Sequence, residues 1–156
     1  EAVLLALEHA PAHGLTLIRK ALSSDIPMNR TAVAAVLALI GKPWAVQELR
    51  RVLTESDDQE KTADARAALL ELGNPECDRA VLEWEKTNPH EDEPGSYIEV
   101  DGRRLGPFYT MAEHSLKNRG HWIRFEMSQL HDRVMKIRDV VPPEPTTVRP
   151  WWRFWS

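Results

Sequence analysis

Ala65-Arg66-Ala67-Ala68-Leu69-Leu70-Glu71-Leu72-Gly73-Asn74-Pro75 decides how this chain is read, because Val33 to Pro43 carries the same pattern one helical hairpin earlier. With Gly41-Lys42-Pro43 laid over Gly73-Asn74-Pro75, Val33, Val36, Leu37 and Ile40 fall on Ala65, Ala68, Leu69 and Leu72. Beyond the turn, Ala45, Leu49 and Val52 fall on Cys77, Val81 and Trp84. A degenerate first copy precedes them: Ala2 to Leu7, a break at Ala10-Pro11-Ala12, then Leu15 to Leu22. A unit as long as the step from Gly41 to Gly73 is one supersecondary element that buries its apolar face only by stacking on its neighbours. The expected fold is mostly α, a short α-solenoid of three helical hairpins over residues 1–88.

Each unit carries apolar residues at three- and four-residue spacing, the mark of one buried helical face. Val33, Val36, Leu37 and Ile40 make one stripe; Val46, Leu49, Val52 and Leu53 make the next. Alanine crowds the first helices, where small side chains let neighbours approach closely without loss of helix propensity. Gly41 and Gly73 suit a left-handed helix terminus, and the prolines two residues on prevent continuation. Six helices are expected here. Thr54 to Thr62 is polar and acidic, and reads as a solvated loop running into a helix start.

Asp64 to Pro75 followed by Ala80-Val81-Leu82 resembles a HEAT-like repeat of the phycobilisome-lyase type, and Ala32 to Leu53 is similar. The resemblance covers a little over half the chain. The first copy lacks the Gly-x-Pro turn, and Glu55 to Thr62 lengthens the connection before the third. What the resemblance implies is a right-handed α-solenoid in a bacterial-type protein. The implied role is most often a scaffold for protein contacts, less often nucleic-acid binding or chromophore handling. Fold alone does not select among these.

The chain has 156 residues, enough for one short solenoid with an appendage, and no apolar run approaches the length that a membrane helix needs. It begins at Glu1 and not Met, as a processed product or an excised domain would. The single cysteine, Cys77, excludes an internal disulfide and points to a reducing, cytoplasmic setting. Net charge is −4, unevenly spread: 17 acidic against 10 basic residues up to Ser96, and 7 against 10 from Tyr97 onward. An acidic repeat region repels phosphate, so duplex nucleic acid is disfavoured as its partner.

Residues 89–96 form a linker with two prolines that no helix can span. Residues 97–141 then switch period. Tyr97 to Leu105 alternates around Asp101-Gly102, a strong hairpin signal that places Glu99 opposite Arg104 and Ile98 opposite Leu105. Gly106-Pro107 is expected to close the hairpin. Two helices follow, near Tyr109–Asn118 and His121–Arg138. Ile123, Met127, Leu130, Val134 and Ile137 give the second a heptad-like seam. Capping the solenoid is its first expected use, and self-association its second.

The tail, residues 142–156, starts with Pro142-Pro143-Glu144-Pro145 and ends with Trp151-Trp152-Arg153-Phe154-Trp155-Ser156, holding three of the six tryptophans. Three destinations are open to it: its own solenoid groove, a partner protein or second copy, or a lipid interface, where two arginines would give only weak attachment.

Catalytic constellations are absent from the reading. His9 and His13 share helical spacing but straddle Pro11. His90 sits in an acidic linker, while His114, His121 and His131 read as exposed helix positions. Asp57, Asp58 and Glu60 lack the glycine-bearing calcium-loop pattern. Cys77 aligns with Ala45 and reads as a small core residue. There is no phosphate-cradling loop, metalloprotease helix or dinucleotide fingerprint. The expectation is a non-enzymatic protein-interaction module without cofactor or metal. Its partner surface is placed at Trp44, Arg50 and Arg51, with Trp151, Trp152, Phe154 and Trp155 as a separate docking segment. The alternative is a nucleic-acid-associated protein contacting phosphate through Arg103, Arg104, Lys117, Arg119 and Arg124.

Overall fold

Proline starts most of the helices. Its fixed φ suits the first helical position, and the N–H it lacks would have had no intrahelical partner there. Pro11, Pro27, Pro43 and Pro75 each open a helix. The computed structural model describes residues 1–90, 94–100, 102–108 and 130–144. Among them the order is α1 (Ala2–His9), α2 (Pro11–Leu22), α3 (Pro27–Ile40), α4 (Pro43–Glu55), α5 (Gln59–Glu71) and α6 (Pro75–Thr87). Strands β1 (Ser96–Val100) and β2 (Arg103–Phe108) and helix α7 (His131–Ile137) follow. Pro11, Pro27, Pro43, Gln59 and Pro75, which start α2 to α6, are evenly spaced along the chain.

The chain is mostly helical, and its helices pack against one another. Consecutive helices touch, and α3 lies against α5 while α4 lies against α6. Most aligned positions share burial, Ile40 with Leu72 and Val52 with Trp84 excepted. Ala45 and Cys77 are both inaccessible, as are Leu49 and Val81, and Leu37 and Leu69. One apolar cluster runs from Leu4 and Leu7 through Ile18, Leu37, Leu49, Leu69 and Val81 to Val134 and Ile137. Full burial of a leucine side chain contributes about 2–3 kcal/mol. Gly41 and Gly73 take the left-handed conformation, at φ 59° and 66°.

Two expectations need correction. The connection between α4 and α5 is short, Ser56 to Asp58, because Asp58 caps α5 and the polar run after it is already helix. Gly106-Pro107 does not close the hairpin. Strand β2 runs through it to Phe108, with an irregular register between Ser96 and Ile98 on β1. A proline without an N–H is tolerated where a ladder is irregular. The pairs Ile98 with Leu105 and Glu99 with Arg104 stand as read.

The expected helix near Tyr109–Asn118 lies outside the described residues, as do Ile123 and Met127 of the heptad-like seam. The described end of the last helix, α7, packs on α1 and α3, whereas β2 packs on α6. Val134 and Ile137 are buried in the common core and Leu130 packs on it, so this part of the seam is spent within the chain. After α7 the chain is held back on the helices: Arg138 Nε donates to the Ile40 carbonyl at 3.2 Å, Lys42 pairs with Asp139 at 3.1 Å, and Pro142 is buried.

Candidate functional site

On α4, residues 48, 51, 52 and 55 follow the three-and-four spacing that puts side chains on one face. Glu48, Arg51, Val52 and Glu55 therefore form one wall of a groove, with Ser56 at its end. Arg19, Lys20 and Leu22 of α2, with Ser23 just beyond it, form the other wall, and Lys61 of α5 completes the lining. The groove has a volume of about 600 Å³. Its lining is apolar at Leu22 and Val52, and its four cations are met by Glu48 and Glu55 in the lining and by Asp25 and Glu144 at its edge.

Arg19 organises the groove. Its Nε donates to Glu48 Oε2 at 2.9 Å and its Nη2 to Glu48 Oε1 at 2.8 Å, a bidentate pair joining α2 to α4. The same Nη2 donates to both oxygens of Glu144, each at 3.1 Å. Hydrogen bonding to Glu48 is the largest of the influences that raise the Arg19 guanidinium above its ordinary value, against a desolvation cost. The Glu144 carboxyl is held below its ordinary value by its bond to Arg19, with the charges of Arg19 and Arg51 adding. Arg51 Nε pairs with Glu55 at 2.8 Å. Lys61 Nζ pairs with Asp25 at 3.0 Å, which raises the lysine.

The expected partner residues on α4 separate. Arg51, half-buried, lines the groove. Arg50, one residue earlier, turns about 100° away around the helix. Its charge acts instead on Cys77 at the start of α6. Trp44 is half-buried against the core, and its buried Nε1 has no hydrogen-bond partner among the described residues. Trp151, Trp152, Phe154 and Trp155 lie outside the described residues. So do Lys117, Arg119 and Arg124 of the nucleic-acid alternative, while Arg103 and Arg104 lie on β2. The Arg104 guanidinium stacks over the Tyr97 ring at 4.3 Å.

Burial pushes the Cys77 thiol up, Asp78 and Glu76 push the same way, and Arg50 opposes them. A thiol so placed is a poor nucleophile at neutral pH. No group of three or more metal-ligating side chains is found among the described residues, and none of the described helices is long and apolar enough to cross a membrane.

Sequence reasoning missed the buried charges. Glu85 is 0 % exposed and bonded to Arg66, whose guanidinium lies 4.5 Å over the Trp84 ring. Arg30 is buried between the Ser24 carbonyl at 2.8 Å and Asp64 at 3.5 Å. An arginine in an alanine-rich helix carries no local signal that its partner sits on another helix. No family model matches the chain, and comparisons with curated proteins and with solved structures find no match either.

Proposed function

We propose that this chain is a non-enzymatic interaction module of HEAT-like helical hairpins stacked as a short right-handed solenoid, binding another protein through the groove between α2 and α4. The observation that carries the reading is the stacking of α3 on α5 and α4 on α6, with evenly spaced helix starts from Pro11 to Pro75. Two such intervals, as from Pro43 to Pro75, make one unit and reproduce the period of the sequence pattern. Polar bridges between neighbouring units support it: Arg19 with Glu48, and Thr31 Oγ1 with Asp64 at 2.7 Å. Stacked hairpins present long surfaces suited to extended partners. The free, buried Cys77 supports a reducing compartment such as the cytoplasm. In this reading Trp151, Trp152, Phe154 and Trp155 serve as a separate docking segment.

The test compares the immobilised full chain with its Arg51→Glu variant in capture from cell extract, followed by mass-spectrometric identification. A protein held by the parent chain and lost by the variant supports the groove as the partner surface. Equal capture by both removes it.

A further inference from the structure

We infer that the groove between α2 and α4 receives an extended acidic peptide of the partner protein, and that Glu144 of this chain occupies the carboxylate position until that peptide displaces it. The inference rests on the reading of the groove as a partner surface and adds the chemistry of what fills it.

Two independent observations carry it. The groove holds a cation in excess once Glu144 leaves: Arg19, Arg51 and Lys61 pair with Glu48, Glu55 and Asp25, whereas Lys20 has no carboxylate partner among the described residues. Second, a carboxylate is already seated at its edge. Glu144 lies 125 residues from Arg19 in sequence and accepts from Arg19 Nη2 through both oxygens at 3.1 Å. It arrives on Val141-Pro142-Pro143, a segment without helix or strand. Consecutive prolines favour an extended polyproline conformation with little entropy left to lose. Such a segment is a template for the ligand: stiff, extended and ending in a carboxylate.

The seat is shared and shallow. Arg19 already satisfies Glu48, whose side chain is 6 % exposed, whereas the Glu144 side chain is 78 % exposed. An exposed ion pair is weakly held and screened by salt. A peptide placing one carboxylate on Arg19 and a second near Lys20 would therefore displace Glu144 without disturbing the Arg19–Glu48 bridge.

The experiment uses the full chain and its Glu144→Gln variant, with a fluorescein-labelled peptide copying residues 140–145 as probe. Fluorescence anisotropy should show the variant binding the probe about two- to fivefold more tightly than the parent chain, with affinity falling as salt rises. The same peptide with Gln in place of its Glu should bind neither chain, and Lys20→Glu added to Glu144→Gln should weaken binding. Equal affinity for the two chains, no binding to the variant, or equal binding of the Gln peptide overturns the inference. A parent-chain dimer in sedimentation that vanishes in Glu144→Gln also overturns it, by assigning the seat to a second copy. If the peptide fails while Arg51→Glu still abolishes partner capture, only the acidic-peptide inference falls.

Discussion

Arg19 and Glu48, 29 residues apart in sequence, meet as a two-bond fork that ties α2 to α4. The glutamate is buried and the arginine is about three-quarters covered. The two ends therefore differ in what their loss leaves behind. Arg19→Ala leaves the buried Glu48 carboxylate without its fork, with Arg51 at 4.0 Å as a looser partner, and should cost about 2–4 kcal/mol of stability. Glu48→Ala leaves an arginine that still reaches water and Glu144, and should cost less. Replacing both with apolar residues of similar volume should recover most of the Arg19→Ala loss. Urea unfolding of the four chains measures this, and equal losses for the two single variants would contradict the asymmetry.

Gly14 reports on the approach of α1 to α2. A Cβ there would sit 2.8 Å from both the Leu7 backbone nitrogen and Leu7 Cδ2. Helical Gly→Ala normally gains about 1 kcal/mol. Here the clash is partly with backbone, which cannot rotate away, and overpacking costs about 1–3 kcal/mol. Gly14→Ala should thus destabilise, against propensity. A thermal melt at or above that of the parent chain would show that the two helices separate freely.

The hairpin units were legible in the sequence because their signals are local. Leu37 and Leu69, like Leu49 and Val81, recur one unit apart, each within an apolar stripe of helical spacing, and all four are buried. Gly41 and Gly73 end helices in the left-handed conformation that glycine tolerates best. The groove was legible only in part. Arg51 belongs to it, but Arg50 does not, since neighbours on a helix face different directions. Glu144 and Arg19 are too far apart in sequence for any pattern to join them, and the prolines around Glu144 reveal only that it is carried on an extended segment.

Glu85 and Arg66 form the most deeply buried charge pair in the described residues. Arg66 Nη2 also donates to the Gln59 carbonyl at 2.7 Å, and the Trp84 ring covers the guanidinium. Glu85→Leu keeps roughly the same volume but removes the charge, leaving Arg66 without this carboxylate. The expected loss is about 3–5 kcal/mol, more than a leucine on a solvated face would cost. A change below about 1 kcal/mol in urea unfolding would mean that the pair is not desolvated as its position implies.

Asp58 makes a pH-dependent contribution to α5. Its carboxylate accepts from the backbone N–H groups of Glu60 at 2.8 Å and Lys61 at 3.0 Å, and these bonds hold it below the ordinary aspartate value of 3.8. A folded value below the unfolded one stabilises the protein fully above the unfolded value, and the stabilisation fades as pH falls through the folded one. At pH 7, Asp58→Ala should therefore melt below the parent chain, with Asp58→Asn between them because its amide oxygen still caps the helix. Below about pH 4 the gap between the parent chain and Asp58→Ala should narrow as the carboxylate protonates. Melts taken at half-unit steps from pH 7 to pH 2.5 measure it. A gap of the same size at both ends would mean that the charge on Asp58 adds nothing to the cap.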